Sequence, residues 1–170
     1  MAISGELFRE VFQRWPSGVA VATTTDLDGA PYGMIVGSFC SLSREPPLVM
    51  MSAGTTARMH DVIARSGRYA INIISHEQRD ILDRFAGFDR TYDENRFEGY
   101  RTQTAVTGAP VFPASVAWVD CEVRAAHNGD GYTIYVAEVV AASLGESSDQ
   151  MPMVYFRRTP RTVTAGDWQI

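Results

Sequence analysis

The hydrophobic pattern starts with the spacing of a helix and then changes to that of β-strands. Within residues 6–15, apolar side chains recur every three or four positions, which is the period of an amphipathic helix. A β-branched run at residues 19–25 predicts a strand, and the turn at residues 26–29 leads to a second strand at residues 33–41. Because the turn contains an Asp-Gly pair, we expect these two strands to form a hairpin.

The rest of the chain continues mainly as strands that are separated by turn residues. Further strands are predicted at residues 48–52, 68–74, 116–125, 132–141 and 153–156, and two helices at residues 57–66 and 77–85. Residues 88–108 have no period and are predicted to be a long polar loop, of the kind that often covers a ligand. Hairpin-linked strands with few helices favour a single, mainly β domain over residues 1–170, built as an antiparallel barrel with helices on its ends.

The stretch at residues 33–49, GMIVGSFCSLSREPPLV, has small side chains where a strand usually has large ones. The small residues are Gly37, Ser38, Cys40 and Ser41. A wall with so little bulk would let a flat ligand lie against the backbone, whose polar groups could bind its edge. The alternative is a close contact with a second sheet. We expect the double proline at residues 46–47 to stop the strand, because proline has no N–H for the ladder.

Hydroxyl groups and an arginine stand at the start of the helix predicted at residues 57–66. Thr55 or Thr56 would cap its N-terminus, and Arg58 would lie in its first turn. Free backbone N–H groups beside an arginine attract an anion, so this helix start is a candidate anion site. A simple cap next to a solvated arginine is the alternative.

Composition and charge narrow the class of protein. The net charge of −5 over 170 residues argues against nucleic acid or an anionic membrane surface as a partner. No apolar run approaches the ~18 residues of a membrane helix, and no signal peptide is present, so we expect a cytoplasmic protein. Cys40 and Cys121 lie in apolar, strand-like runs and are predicted to be small buried hydrophobes.

Motifs for acid–base or metal catalysis are missing from the sequence. It contains no HExxH, CxxC, phosphate loop or GxSxG elbow. The histidines, His60, His76 and His127, are too scattered to suggest a metal site, and the loop carboxylates are expected to be solvated. An enzyme with this sequence would therefore take its chemistry from an organic cofactor.

Several stretches, in the same order, resemble the flavin reductase family, the short-chain reductase components that supply reduced flavin to two-component monooxygenases. Besides residues 8–49, they are SGRYAINIIS (66–75), RFAG (84–87), RFEG (96–99), GAPVF (108–112), AWVDCEV (117–123) and PMVYFRR (152–158). The resemblance implies a split β-barrel that forms a homodimer, with the flavin near the subunit interface. It also implies FMN or FAD as the flavin, NADH or NADPH as the hydride donor, and a monooxygenase as a partner.

The resemblance also implies which residues contact the cofactors. In relatives, residues that match 33–41 line the flavin ring, and the loop matching 54–59 and the RFAG turn help to hold the phosphate. The implied cofactor-binding residues are Met34, Ile35, Val36, Gly37, Ser38, Ser41, Ser52, Thr55, Thr56, Arg58, Arg84, Phe85, Ala86, Gly87, Tyr155 and Arg157. No residue is expected to act as an acid or a base, because hydride transfer needs only two rings held in contact.

The chain departs from the family at three functional places. Ile35 and Gly37 replace a usual threonine and serine, residues 57–59 replace a serine-x-threonine phosphate loop, and Tyr132 stands where relatives have a histidine that is associated with nicotinamide. A tyrosine could still stack on nicotinamide. The alternative function is a repurposed split barrel, either a biosynthetic cyclase or isomerase or a small-molecule binder, whose more apolar cleft holds a hydrophobic metabolite.

Overall fold

The computed structural model describes residues 2–163, and this part of the chain has three helices and twelve strands. The helices are α1 (Gly5–Phe12), α2 (Arg58–Ser66) and α3 (Arg79–Phe85). The strands are β1 (Ser17–Gly18), β2 (Ala20–Thr25), β3 (Pro31–Val36), β4 (Phe39–Arg44), β5 (Pro47–Gly54), β6 (Arg68–Ile73), β7 (Gln103–Thr104), β8 (Pro110–Val111), β9 (Ala117–Gly129), β10 (Tyr132–Leu144), β11 (Met153–Phe156) and β12 (Thr159–Thr162). The predicted mainly β architecture is confirmed.

Seven strands form one antiparallel sheet in the order β3-β2-β6-β9-β10-β5-β4. Its two edge strands, β3 and β4, follow each other in the chain and are separated only by Gly37 and Ser38. Because a link of two residues reaches no further than about 11 Å, the sheet must curl until its edges approach each other. The result is a split barrel, and we call the unpaired gap between β3 and β4 the seam.

Apolar side chains form one core inside the barrel and a second core between the barrel and α3. Ala20 and Ala22 of β2 face the interior with the large buried side chains of Tyr69 and Tyr135. Alternate β2 residues face outward, where Val21 joins the apolar residues of α3. The second core also contains Val19, Ile74, Ile81, Leu82, Phe85, Phe112 and Met153. Because β2 is covered on both faces, all six of its residues are buried, including the three threonines of its second half.

The prediction of one strand over residues 33–41 is wrong. The chain leaves β3 after Val36 and enters β4 at Phe39, and these strands lie at opposite edges of the sheet. Val36 pairs with Ala20 of β2, whereas Phe39 pairs with Met51 of β5. The double proline does stop the strand before it, as predicted: β4 ends at Arg44, and a new strand, β5, begins at the second proline.

The helices agree with the predicted positions but differ at their ends. α1 ends at Phe12, before the predicted end at residue 15, and none of its residues is buried. α2 begins at Arg58 with Ala57 as its N-cap and without a capping side chain, so the predicted cap by Thr55 or Thr56 is wrong. α3 buries Ile81, Leu82 and Phe85 as predicted, and the glycine after its C-cap has a positive φ of 77°.

The last hairpins are longer than the sequence predicts. β9 and β10 run to a two-residue turn at Asp130 and Gly131, where a five-residue turn was expected. β12 was not predicted, and it returns along β11 through a turn at Arg157 and Arg158. The predicted tail after this turn therefore begins with a strand, and its residues 164–170 lie outside the described part of the chain.

The two cysteines have different environments. Cys121 is fully buried, as predicted, and burial together with the neighbouring Asp120 carboxylate raises the pKa of its thiol to about 12. Cys40 is exposed on β4, so the prediction that it is buried is wrong. It is exposed because β4 is an edge strand whose outward residues have no covering layer.

Candidate functional site

Two cavities lie next to each other along β3. The first has a volume of about 660 Å³ and is lined by residues 30–34, by residues 57–59 at the start of α2, and by residues 93–97. We call it the polar cavity, because charged side chains from two of these segments face it. The second, the apolar cavity, has a volume of about 220 Å³. It is lined by Ser17, Gly18, Val19, Ile35, Val36, Gly37, Leu82, Ala86, Phe88 and Tyr155.

Gly33 of β3 lies against aromatic side chains of the second core, and their packing explains why this residue is a glycine. A Cβ atom at Gly33 would lie 2.6 Å from Cε1 of Phe85, which is closer than such atoms approach in real structures. It would also lie 3.2 Å from Cζ of Phe97. Phe85 in turn packs edge-on against Phe97, with ring centroids 5.1 Å apart. The bare backbone at this position therefore serves the contact with α3, a helix, and not a contact with the second sheet that the sequence left open as the alternative.

Gly37 has a different environment, because its open side faces the apolar cavity. A Cβ atom there would lie 3.2 Å from Oγ of Ser17, with nothing else closer than 3.9 Å. The next residue, Ser38, is fixed to β5: its hydroxyl donates to the carbonyl of Ser52 at 3.1 Å, and the N–H of Ser52 donates to the carbonyl of Ser38 at 3.0 Å. The two predicted serines thus brace the link across the seam instead of lining a cavity.

Arg58 provides a positive charge on the wall of the polar cavity. Its guanidinium lies 4.6 Å from the ring centroid of Tyr32, and Nη2 donates to the Tyr32 hydroxyl at 2.8 Å. That hydroxyl donates in turn to Oδ2 of Asp26 at 3.3 Å. Among the described residues, Arg58 forms no ion pair with a carboxylate. The aromatic ring therefore fixes the position of the arginine while leaving its charge without a counter-ion.

A second arginine, Arg96, faces the same cavity from the loop at residues 93–97. Its Nη1 donates to the carbonyl of Phe85 at 3.2 Å, and Nη2 contacts Oδ1 of Asp93 at 3.3 Å. The hydrogen bond from Arg90, with Arg96 nearby, holds the pKa of the Asp93 carboxyl below its usual value. Sequence reasoning missed Arg96 and its neighbours, because a polar loop without a period gives no sign of what it covers. The RFEG stretch was the signal that could have found them.

The RFAG turn is only partly exposed to the cavities. Ala86 lines the apolar cavity, but Phe85 is 2% exposed and belongs to the second core. Arg84 lies between the rings of Tyr92 and Tyr100, and Gly87 ends α3 with a positive φ. Neither Arg84 nor Gly87 lines a cavity. The turn thus contributes mainly to the packing of α3, and only one of its four residues lines either cavity.

Other predicted site residues are divided between the cavities and distant places. The cavities bring together Met34, Ile35, Val36, Gly37, Arg58, Ala86 and Tyr155. The residues that line neither cavity are Ser38, Ser41, Ser52, Thr55, Thr56, Arg84, Phe85, Gly87, Tyr132 and Arg157. Ser41 lines a separate hollow at the far edge of the sheet, on β4. Tyr132 lies over Gly129 in its own hairpin and is 45% exposed, so it is not part of the cleft within one chain.

The described part of the chain has neither a cluster of metal-ligating side chains nor a membrane-spanning helix. In residues 2–163, no group of three or more histidine, cysteine or acidic side chains is arranged to hold a metal ion. None of the helices in this range combines the length and the apolar character that a membrane span requires.

The chain is similar in sequence to known reductases. A family model described as Flavin reductase like domain matches residues 12–164. A flavin reductase of Pseudomonas putida is 31% identical over 156 residues, which cover 92% of this chain and 88% of that protein. The reductase subunit HsaB of a flavin-dependent monooxygenase from Rhodococcus jostii is 33% identical over 156 residues, which cover 92% of this chain and 76% of that protein.

Solved structures of the same kind have the same fold. Nitrilotriacetate monooxygenase component B from Mycobacterium thermoresistibile superposes with a TM-score of 0.88 at 27% identity, covering 97% of this chain and 89% of that one. The NADH:FAD oxidoreductase SgcE6 of Streptomyces globisporus, in complex with NAD and FAD fragments, gives a TM-score of 0.84 at 26% identity, covering 97% and 98%. With the family match over most of its length and the split barrel in common, this chain belongs to the flavin reductase family.

Proposed function

We propose that this protein is an NAD(P)H-dependent flavin reductase, an oxidoreductase that binds FMN or FAD and passes the reduced flavin to a partner monooxygenase. The observation that carries the proposal is the pair of cavities along β3, one apolar and the other containing two arginines. A flavin has the matching division into a planar ring system and a phosphate-bearing chain. Relatives that are named flavin reductase or reductase subunit of a flavin-dependent monooxygenase support the same function.

The residues present fit a flavin at both ends. At the apolar cavity, Gly37 leaves the wall open, and Ile35 and Tyr155 offer apolar surface to a planar ring. At the polar cavity, Arg58 stands at the first position of α2 with no carboxylate partner among the described residues. Free N–H groups at the start of a helix add to the attraction for a phosphate. The flavin ring would therefore lie at the apolar cavity and its phosphate near Arg58.

The protein's contribution to the reaction is position and the exclusion of water. A bound flavin supplies the chemistry by accepting a hydride from the nicotinamide. The residues that line the apolar cavity include no histidine, lysine or carboxylate, and a hydride transfer between two rings needs no general acid or base. Its apolar walls would keep water away from two stacked rings, with Tyr155 among the lining residues as the proposed contact for the nicotinamide.

The proposed assembly is a homodimer that uses the apolar face of α1. Five apolar side chains of this N-terminal region, Leu7, Phe8, Val11, Phe12 and Trp15, are between 49% and 73% exposed. Their regular spacing puts them on one side of the helix, whereas an isolated surface helix would bury such a face against its own chain. A second copy of the chain is the occupant that we propose, in agreement with the dimer that the family resemblance implies.

The deciding experiment is spectroscopic. Purified protein is mixed anaerobically with FMN or FAD and with NADH or NADPH, and the flavin absorbance near about 450 nm is followed, since reduction of the flavin abolishes this band. We expect rapid bleaching with at least one flavin and one nicotinamide, and the four combinations also identify the preferred pair. If the protein accelerates none of the four reactions, the reductase proposal fails, and the repurposed barrel becomes the better account of the fold.

A further inference from the structure

The guanidinium of Arg84 is enclosed by aromatic rings on both faces. Its central carbon lies 3.6 Å from the ring centroid of Tyr92 and 4.3 Å from that of Tyr100. Nη1 donates to the carbonyl of Glu98 at 2.5 Å, and Nε is buried without a hydrogen-bond partner in the described structure. Aromatic rings therefore cover both faces of this group. Of its three nitrogens, one is hydrogen-bonded to a backbone carbonyl and a second is buried.

This arrangement is unlike that of an arginine waiting for a phosphate. A phosphate binds a guanidinium along its edge, where the N–H donors point, and it needs an edge that is open to the ligand. In Arg84, one nitrogen is bound to a carbonyl and a second is buried, and the residue lines neither cavity. Arg58 has the opposite properties, because it lines the polar cavity and lacks a carboxylate partner within residues 2–163.

The partners of Arg84 all belong to one stretch, residues 88–100, which we call the cover segment. Residues 93–97 of this segment form one wall of the polar cavity. The hydroxyl of Tyr100 donates to Oδ2 of Asp80 on α3 at 2.7 Å, and Arg96 donates to the carbonyl of Phe85. Arg84 thus contacts the cover segment near its first third and at its end, on both sides of the part that lines the cavity.

We propose that Arg84 is a positioning residue that clamps the cover segment over the polar cavity and so holds Arg96 opposite Arg58, and that it does not bind the flavin phosphate itself. The assignment of a flavin to this cavity rests on the proposed function, but the clamp is a property of the chain alone. The planar cation is required because it can stack on two rings and also donate to a carbonyl in its own plane. Lysine keeps the charge but cannot cover two rings at once.

The first arm of the test measures the clamp without any flavin. Trypsin cleavage after Arg90, whose side chain is 81% exposed within the cover segment, is followed by mass spectrometry. Arg84→Lys keeps the number of tryptic sites and should speed this cleavage about tenfold, because opening of the segment no longer breaks two stacked contacts. Tyr92→Ala should show a similar increase, and Tyr92→Phe, which keeps the ring, should behave like the unaltered protein.

The second arm compares FMN with riboflavin, which lacks the phosphate. For Arg84→Lys and Tyr92→Ala alike we expect the affinity for FMN to fall more than that for riboflavin, because the displaced segment carries Arg96, which faces the cavity assigned to the phosphate. Arg58→Ala is the comparison variant and should weaken FMN much more than riboflavin without changing the cleavage rate. Unchanged cleavage in both Arg84→Lys and Tyr92→Ala would overturn the clamp, and so would a loss of FMN affinity in Arg84→Lys that Tyr92→Ala does not share. If the unaltered protein binds no flavin, the proposed function fails, while the cleavage arm still decides on the clamp.

Discussion

Gly33 and Gly37, in the stretch of small side chains at residues 33–49, have different structural roles. Gly33 is needed because Phe85 of α3 lies directly on the backbone, whereas Gly37 is open to the apolar cavity and has only Ser17 near it. The sequence predicts that side chains are absent here. It cannot show which neighbour requires the space, because Phe85 and Ser17 come from other parts of the chain and reach β3 only through folding. Of the four small residues predicted to form the slot, Gly37 alone lines one of the two cavities, so a flat ligand at this place stays a prediction.

Gly37→Val tests the proposed place of the flavin ring. The new side chain would extend past Ser17 into the apolar cavity and occupy space that the ring needs. We expect the dissociation constant for FMN to rise at least about tenfold, which is ~1.4 kcal/mol, with little change in thermal stability. Titration followed by flavin fluorescence measures it. Cys40→Val, on exposed β4, is the matched control, and an unchanged affinity in Gly37→Val would place the ring elsewhere.

The cysteines provide a check on the barrel core that does not depend on function. Cys121 is buried, and its thiol has a pKa raised to about 12, so at pH 8 it is protonated and shielded from reagents. Cys40 is exposed on β4. In the native protein, a disulfide reagent should modify one thiol per chain, and in strong denaturant it should modify two. Rapid native modification of both thiols would show that the core around Cys121 is not closed.

At the scale of elements, the sequence predicts helices and strands from local patterns and fails where a long-range partner decides. β3 and β4 look like one strand because β-favouring residues continue through Gly37 and Ser38, and only the change from β2 to β5 as the pairing partner separates them. β12 was missed for a related reason. Its turn has arginines at positions where a two-residue hairpin usually has asparagine and glycine, so the sequence contains no turn signal.

The turn between β11 and β12 should be strained, because Arg157 and Arg158 have φ values of 50° and 61°. Side chains with a Cβ atom are disfavoured at such angles by roughly 1–2 kcal/mol. Arg158→Gly removes this cost but makes the unfolded chain more flexible, so we expect the free energy of unfolding to rise by about 0.5 kcal/mol. Urea denaturation measures it. Arg161→Gly, at an extended position within β12, is the control and should lower stability instead.

At the scale of the whole molecule, the seam explains why the site lies where it does. A closed barrel would pair β3 on both sides, but the split leaves one edge of β3 free, and α2, α3 and the cover segment gather around this strand. The resemblance predicts the barrel and several residues along β3, since these depend on stretches that are alike in sequence. Its RFEG stretch includes Arg96 but assigns it no role, and it does not predict the enclosure of Arg84, because the positions of loop side chains depend on contacts between residues that are distant in the sequence.

The proposed homodimer makes a prediction about the mass of the protein in solution. The rings of Phe8 and Phe12 contact each other at a tilt of 36°, with centroids 4.5 Å apart, and remain about half exposed, so a charged side chain in place of Phe8 should disrupt any partner surface. The unaltered protein should have twice the chain mass of 18.8 kDa by light scattering, and Phe8→Glu should reduce this to the mass of one chain. Arg9→Glu, a charge change on the same helix, should leave the mass unchanged. A monomeric unaltered protein, or a dimer that survives Phe8→Glu, would contradict a dimer interface on this face of α1.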